Sequence, residues 1–176
     1  MAFIPARHGS KRVPGKNTRL LAGHPLLAYT VAPAVESGVF SSVIVSTDSE
    51  ETAVIARHYG AEVPFLRPAA FSGDTSPDIE WLEHALTELQ RQGRAWDAFS
   101  LLRPTSPFRT AAVAPGPRLE GRTIAGEVLA PFLTKGYEGF DINDPHDWMV
   151  AERLIADGDV NLPSVPQIPY GVVRAG

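Results

Sequence analysis

The chain opens on an apolar run, Met1 to Ile4, with the length of a buried strand, and passes directly into a polar loop. A second unbroken apolar centre, Val43-Ile44-Val45, reads as a parallel strand buried on both faces, with Ser46, Thr47 and Asp48 at its carboxyl end. Ala61 to Leu66 and Ala98 to Leu102 are two further strand candidates. Between these runs the apolar spacing turns helical. Residues 24–38 carry Leu26, Leu27, Tyr29 and Val31, with Gly38 as a stop and Pro33 expected to kink the helix or shift its end. Residues 50–59 read as a helix that Ser49 can cap and Gly60 closes, and Asp78 to Arg91 sets Ile79, Leu82, Leu86 and Leu89 on one side before Gly93. This β-α-β-α-β rhythm predicts an α/β fold, an open and mostly parallel sheet with helices on both faces and ligands at the carboxyl ends of its strands.

Residues 111–121, AAVAPGPRLEG, break the rhythm where another helix is expected. Beyond them Arg122 to Leu129 and Gly139 to Ile142 are strand candidates. Pro145 to Ala156 reads as a helix with Trp148, Leu154 and Ile155 inward, Asp144 as N-cap and a proline at its first position. From Asn161 three prolines and no periodicity predict a surface extension. A chain of 176 residues suits one domain, here residues 1–160, followed by the extension 161–176.

Composition narrows the chemistry. With 44% hydrophobic and 20% charged residues the chain is that of an ordinary globular protein. A formal charge of −4 gives no global basic field for nucleic acid or an anionic membrane, so local cations must act on a small anion. The absence of cysteine excludes disulfides, thiolate-bound zinc and a thiol nucleophile. No apolar run is long enough to span a bilayer and no leader pattern opens the chain, so a cytoplasmic location is expected.

The candidate chemistry lies at strand ends. Residues 6–17, ARHGSKRVPGKN, set Arg7, Lys11, Arg12 and Lys16 around Gly9 and Gly15, whose lack of a side chain lets backbone N–H groups approach an anion. The spacing is not that of a P-loop, and a solvated basic loop is the plain alternative. Asp48, Arg67 with Asp74, and Arg103 to Arg109 would converge on the same edge. Guanidinium groups there suit a triphosphate, although Arg67 and Arg109 could equally brace loops and Asp48 could cap a turn. In FDIND, Asp141, Asn143 and Asp144 are hard oxygen donors of the kind magnesium accepts beside phosphates, with Asp144 the better cap. The five histidines lack metal-type spacing, and Ser10, Ser46 and Ser106 have no evident His/Asp partners for nucleophilic chemistry.

Taken in order, AFIPARHGSKRVPGKN, VIVSTDSEE, the YGAEVPFLRPAAFSGD stretch, LLRPTSP and GFDINDPHDW resemble the acylneuraminate cytidylyltransferases over most of residues 2–110 and about 121–156. The resemblance implies a three-layer Rossmann-like nucleotidyltransferase fold that activates a nonulosonic (sialic-acid-type) sugar acid with CTP and Mg²⁺, giving a CMP-sugar and pyrophosphate. It implies nucleotide binding by Ala6, Arg7, Gly9, Ser10, Lys11, Lys16, Asn17, Arg67, Asp74 and Arg103, a catalytic role for Arg7 and Lys16, and metal binding by Asp141 with Asn143. Three features depart from the family's pattern: Asn143 stands where a second metal-binding aspartate is usual, and Arg103 where many relatives carry glutamine. A long insertion that builds the usual homodimer contact and much of the sugar pocket is reduced to about AAVAPGPRLEG. A shortened protein that holds CTP without presenting a sugar acid, monomeric and with little turnover, is the alternative expectation.

Overall fold

A computed structural model describes residues 1–73, 76–109 and 135–171. Strand β1 (Ala2–Pro5) lies at the centre of a parallel sheet between β4 (Val43–Ser46) and β5 (Ser100–Leu101). A two-stranded antiparallel hairpin, β2 (Leu20–Leu21) and β3 (His24–Pro25), follows the basic loop. The helices are α1 (Ala28–Glu36), α2 (Glu50–His58), α3 (Asp78–Arg91) and α4 (Pro145–Asp157), with 3-10 turns at Ala69–Phe71 and Gly136–Gly139.

The period of two along the central strands decides the layering. Ala2, Ile4, Val43 and Val45 point to one face and pack with residues of α1 and α2, while Phe3 and Ile44 point to the other and meet Trp81, Leu82, Ala85 and Leu89 of α3. With both faces covered the strands are apolar throughout, as their sequence requires. A third cluster joins Val13 of the basic loop to Leu21, Tyr29, Phe108, Ile142, Trp148 and Leu154. That cluster seats the loop, because Val13 is fully buried in it and Arg19 lies 4.3 Å over the Trp148 ring.

Several expectations need correction. The predicted helix 24–38 begins only at Ala28; before it, Ala22 and Gly23 both take positive φ (46° and 93°) and turn the chain into the β2–β3 hairpin. Pro33 does not end the helix, which runs to Glu36 with Tyr29, Val31, Ala32 and Ala34 buried. The expected strand Ala61 to Leu66 is a single parallel bridge, Glu62 to Ile44, because Pro64 has no N–H with which to extend the ladder. Its direction persists nonetheless, since the Arg67 N–H donates to the Thr47 carbonyl at 2.7 Å. The expected strand Gly139 to Ile142 is a 3-10 turn and an extended segment tied to the core by one backbone bond, Ile142 N–H to the Thr105 carbonyl.

Ser49 and Asp144 cap α2 and α4 as their sequence indicated, and Gly158 closes α4 in the left-handed region. The segment from Asn161 has neither helix nor strand through residue 171, yet it is fastened. Val165 packs on the core, His58 Nε2 donates to the Ile168 carbonyl at 2.8 Å, and the Tyr170 N–H donates to the Tyr59 hydroxyl at 3.1 Å. Residues 111–121, the strand expected at 122–129 and the end of the tail lie outside the described residues.

Candidate active site

The carboxyl ends of β1, β4 and β5 open into a cleft of about 260 Å³. Arg7, Ser10, Lys16 and Asn17 reach it from the loop after β1, Arg67 from the segment after the Glu62 bridge, and Arg103 and Thr105 from the turn after β5. A second, more cationic space of about 380 Å³ adjoins it, lined by Arg7, Ser10, Lys11, Arg12, Lys16 and Asn143. Arg7, Ser10 and Lys16 border both. Among the anticipated residues, Ala6 is buried and donates its N–H to the Ser46 carbonyl, so it starts the loop from the sheet instead of facing the cleft. Gly9 borders neither space; the Ser10 N–H bonds back across it to the His8 carbonyl. Asp74 lies outside the described residues.

The loop's course is fixed by a few bonds. Asp48 Oδ1 accepts the His8 N–H at 2.8 Å, and Asn17 Nδ2 donates to the Arg7 carbonyl at 3.1 Å, closing the loop on itself. Gly15 supplies the left-handed residue (φ 62°) at which the chain turns so that the Lys16 N–H meets the Val13 carbonyl. Asn17 borders the cleft, and its second amide atom, Oδ1, is buried with no hydrogen-bond partner among the described residues.

Lys16 is half-buried and Nζ donates to the Ile142 carbonyl at 2.9 Å. Burial lowers its pKa, and the nearby Asp141 carboxylate works against that fall while Arg12 and Arg7 add to it. Arg67 is 6% exposed; Nε and one terminal nitrogen donate to Ser46 Oγ and the Ser46 carbonyl at 3.0 and 2.9 Å, and the guanidinium lies 4.5 Å over the Trp81 ring. Burial pulls its pKa down to about 10, opposed by Asp48 and Asp78, so it remains a cation at neutral pH. Arg67 therefore both braces the β4 end and lines the cleft.

Asp141 Oδ1 accepts two hydroxyl protons, from Thr105 Oγ1 and Ser106 Oγ, each at 2.6 Å, and Arg109 in turn donates to Ser106 Oγ at 2.8 Å. Asn143 is exposed; its amide donates to the Asp141 carbonyl and its backbone N–H to Asp147 Oδ2. No cluster of three metal-binding side chains occurs among the described residues. Asp141 and the exposed Asn143 are the hard-oxygen residues on this edge, and magnesium takes few protein ligands, keeping several waters and completing its shell from phosphates. His8 enters only through its backbone, and Asp144 is a cap: the His146 and Asp147 N–H groups hold its carboxyl below the usual range.

Two site residues, Asp78 and Trp81, escaped the sequence reading, and Thr105 and Ser106 entered it only as members of the 103–109 cluster. Asp78 and Trp81 look like ordinary positions of an amphipathic helix, and the hydroxyls of Thr105 and Ser106 carry no pattern of their own. Their signal was position: Asp78 opens α3, and Thr105 and Ser106 follow a strand end.

The cytidylyltransferase family model matches residues 1–87. A CMP-N,N′-diacetyllegionaminic acid synthase of Legionella pneumophila is 50% identical over 109 residues, 62% of this chain and 47% of the relative. An N-acylneuraminate cytidylyltransferase of Escherichia coli is 45% identical over 62% of this chain and 25% of the relative; a pseudaminic acid cytidylyltransferase of Campylobacter jejuni is 38% identical over 61% and 47%. The chain thus spans half or less of the length of these relatives. A solved CMP:2-keto-3-deoxy-manno-octonic acid synthetase, complexed with CTP, superposes with a TM-score of 0.52 over 62% of this chain and 42% of that one, at 21% identity, and shares the Rossmann-like fold. A basic, glycine-containing loop leaving the central strand of a parallel sheet lies within the 87 residues that the cytidylyltransferase family model matches, so the chain is similar to that family over this part of its length.

Proposed function

We propose that this chain binds CTP in the two adjoining spaces at the sheet edge and transfers its cytidylyl group to a nonulosonic acid. The observation that carries this reading is the convergence of Arg7, Ser10, Lys16, Asn17, Arg67 and Arg103 on one cleft at the carboxyl ends of parallel strands. The names of the relatives, synthases and cytidylyltransferases of such acids, support the substrate class.

In this reaction the anomeric hydroxyl oxygen of the sugar acid attacks the α-phosphorus of CTP. A P–O bond forms to the sugar as its hydroxyl proton passes to solvent, the bond to the β-phosphate oxygen breaks, and pyrophosphate leaves with the electron pair. Charge grows on the phosphate oxygens, so the chain's part is positioning and electrostatic stabilisation. Lys16 spends one N–H on Ile142 and keeps two for phosphate oxygens; Arg7 borders the same spaces with a guanidinium suited to two oxygens at once. Asp141 with Asn143 would hold Mg²⁺, which when bound neutralises phosphate charge. The reading further takes residues 1–160 as one catalytic domain acting in the cytoplasm, where CTP is made. Among the described residues no helix is long and apolar enough to cross a membrane.

The test is incubation with CTP, Mg²⁺ and N-acetylneuraminic acid, or a panel of related acids, followed by pyrophosphate release with Lys16→Ala as control. Release that requires both the acid and Lys16 supports the transferase. CTP binding without release under every acid would leave a nucleotide-holding protein in its place.

A further inference from the structure

Arg103, two residues past the end of β5, reaches the first residue of α3 and forms an ion pair with Asp78. Both line the cleft, together with Arg7, Lys16 and Arg67. The two partners are held very differently. Asp78 Oδ1 accepts the Trp81 Nε1 proton at 2.9 Å, and the Trp81 ring carries the Arg67 guanidinium, so the carboxylate is fixed by its own helix. The Arg103 side chain is 52% exposed, and among the described residues its hydrogen bonding is to Asp78. An exposed pair of this kind stabilises a fold little, so its place at the cleft mouth calls for another account.

A guanidinium fork takes a carboxylate and a phosphate in the same bidentate geometry. Asp78 therefore sits where an anionic group of a ligand would sit. We propose that Asp78 is a resident counter-ion that occupies Arg103 in the empty cleft and is displaced when an oxyanion of the ligand, phosphate or carboxylate, enters. This rests on the reading of the cleft as a site for a nucleotide and a sugar acid. The exchange lets the cleft stand empty without an unpaired Arg103, and it discriminates. A ligand whose oxyanion reaches Arg103 recovers what breaking the pair costs, whereas a neutral analogue does not.

Asp78→Asn keeps an acceptor for Trp81 Nε1 and removes the charge; Arg103→Gln removes the receptor. The full chain, the two single variants and the double variant are titrated by calorimetry with inorganic pyrophosphate, N-acetylneuraminic acid and CTP. Asp78→Asn is expected to tighten at least one oxyanion probe by about two- to fivefold. Arg103→Gln is expected to weaken that probe by about tenfold, and the gain from Asp78→Asn should vanish in the double variant. Coupling seen with pyrophosphate assigns Arg103 to phosphate, and coupling seen with the sugar acid alone assigns it to carboxylate. A gain of equal size in the Arg103→Gln background would overturn the proposal, because Asp78 would then act on the whole cationic field. So would unchanged binding of every probe in Asp78→Asn, or no oxyanion binding by the wild-type chain. Pyrophosphate binding with the expected coupling but no affinity for CTP would sink the cytidylyl reading and leave the counter-ion exchange standing. Should Asp78→Asn melt early, Asp78→Ser carries the same test.

Discussion

Lys16 Nζ and the Ile142 carbonyl oxygen lie 2.9 Å apart, so a cation of the loop after β1 is tied to a segment 126 residues away in the chain. Through the same segment Asp141 is joined to Thr105 and Ser106, and Ile142 N–H to the Thr105 carbonyl. The phosphate-type loop, the turn after β5 and the approach to α4 therefore form one braced edge. Lys16 gives this edge one bond, to the Ile142 carbonyl, and on the proposed reading its charge serves the ligand.

Lys16→Met keeps much of the stem and removes both roles. CTP affinity should fall by roughly 2 kcal/mol, the scale of a charge-assisted hydrogen bond, which is about thirtyfold in a calorimetric titration. Lys16→Arg restores the charge; if it also restores binding, the charge matters more than the contact to Ile142.

Arg67 behaves as a core residue despite its charge. Arg67→Ala removes two hydrogen bonds to Ser46 and the contact with Trp81, and it should destabilise the fold by about 2–4 kcal/mol in urea denaturation. Arg67→Lys should recover little of that, since an ammonium cannot bond Ser46 twice while stacking on the indole.

Thr105 and Ser106 fix Asp141 through a single carboxylate oxygen, Oδ1. On the proposed reading Asp141 holds the metal, and these two hydroxyls orient it. Thr105→Val with Ser106→Ala should weaken Mn²⁺ binding in the presence of CTP by about 10–100-fold, followed by the disappearance of the free-ion resonance. CTP affinity measured in EDTA should not change, and Thr105→Ser with Ser106→Thr should bring the metal back.

How far these relationships were legible depends on their range. β1, β4 and α3 could be read from apolar period and run length, because burial on two faces or one leaves a local trace. The basic loop was legible as a cluster, because four cations beside two glycines directly after a strand stand out in the sequence. The Ala22–Gly23 turn was hidden, since alanine at positive φ has no sequence signal, and the valine and phenylalanine on either side of Pro64 mask its interruption of an edge strand. Arg103 was visible as a cation, but its pairing with Asp78 depends on how α3 sits against β5, which no local pattern encodes. The same holds for Arg67, whose contact with Trp81 spans the loop before α3.

Tyr29 gives the fold a test on its alkaline side. Its hydroxyl donates to the Leu21 carbonyl at 2.6 Å, holding the hairpin on α1, and burial raises its pKa to about 12. An unfolded tyrosine ionises near pH 10. Below that value both states are protonated and the stabilisation is fully present. Between about pH 10 and 12 the unfolded chain sheds a proton that the folded one keeps, so stability falls as pH rises. Tyr29→Phe loses the hydrogen bond and should cost about 1 kcal/mol at pH 8. It also removes this proton linkage, so its urea midpoint should decline less than the wild type's above pH 10, and the gap between the two should narrow or reverse by pH 11.5. Tyr59, also raised by burial, is present in both proteins, and its charge adds to the rise at Tyr29. A gap that stays constant across that range would mean that the Tyr29 hydroxyl ionises as readily in the folded chain as in the unfolded one, and that the hairpin is not closed over it.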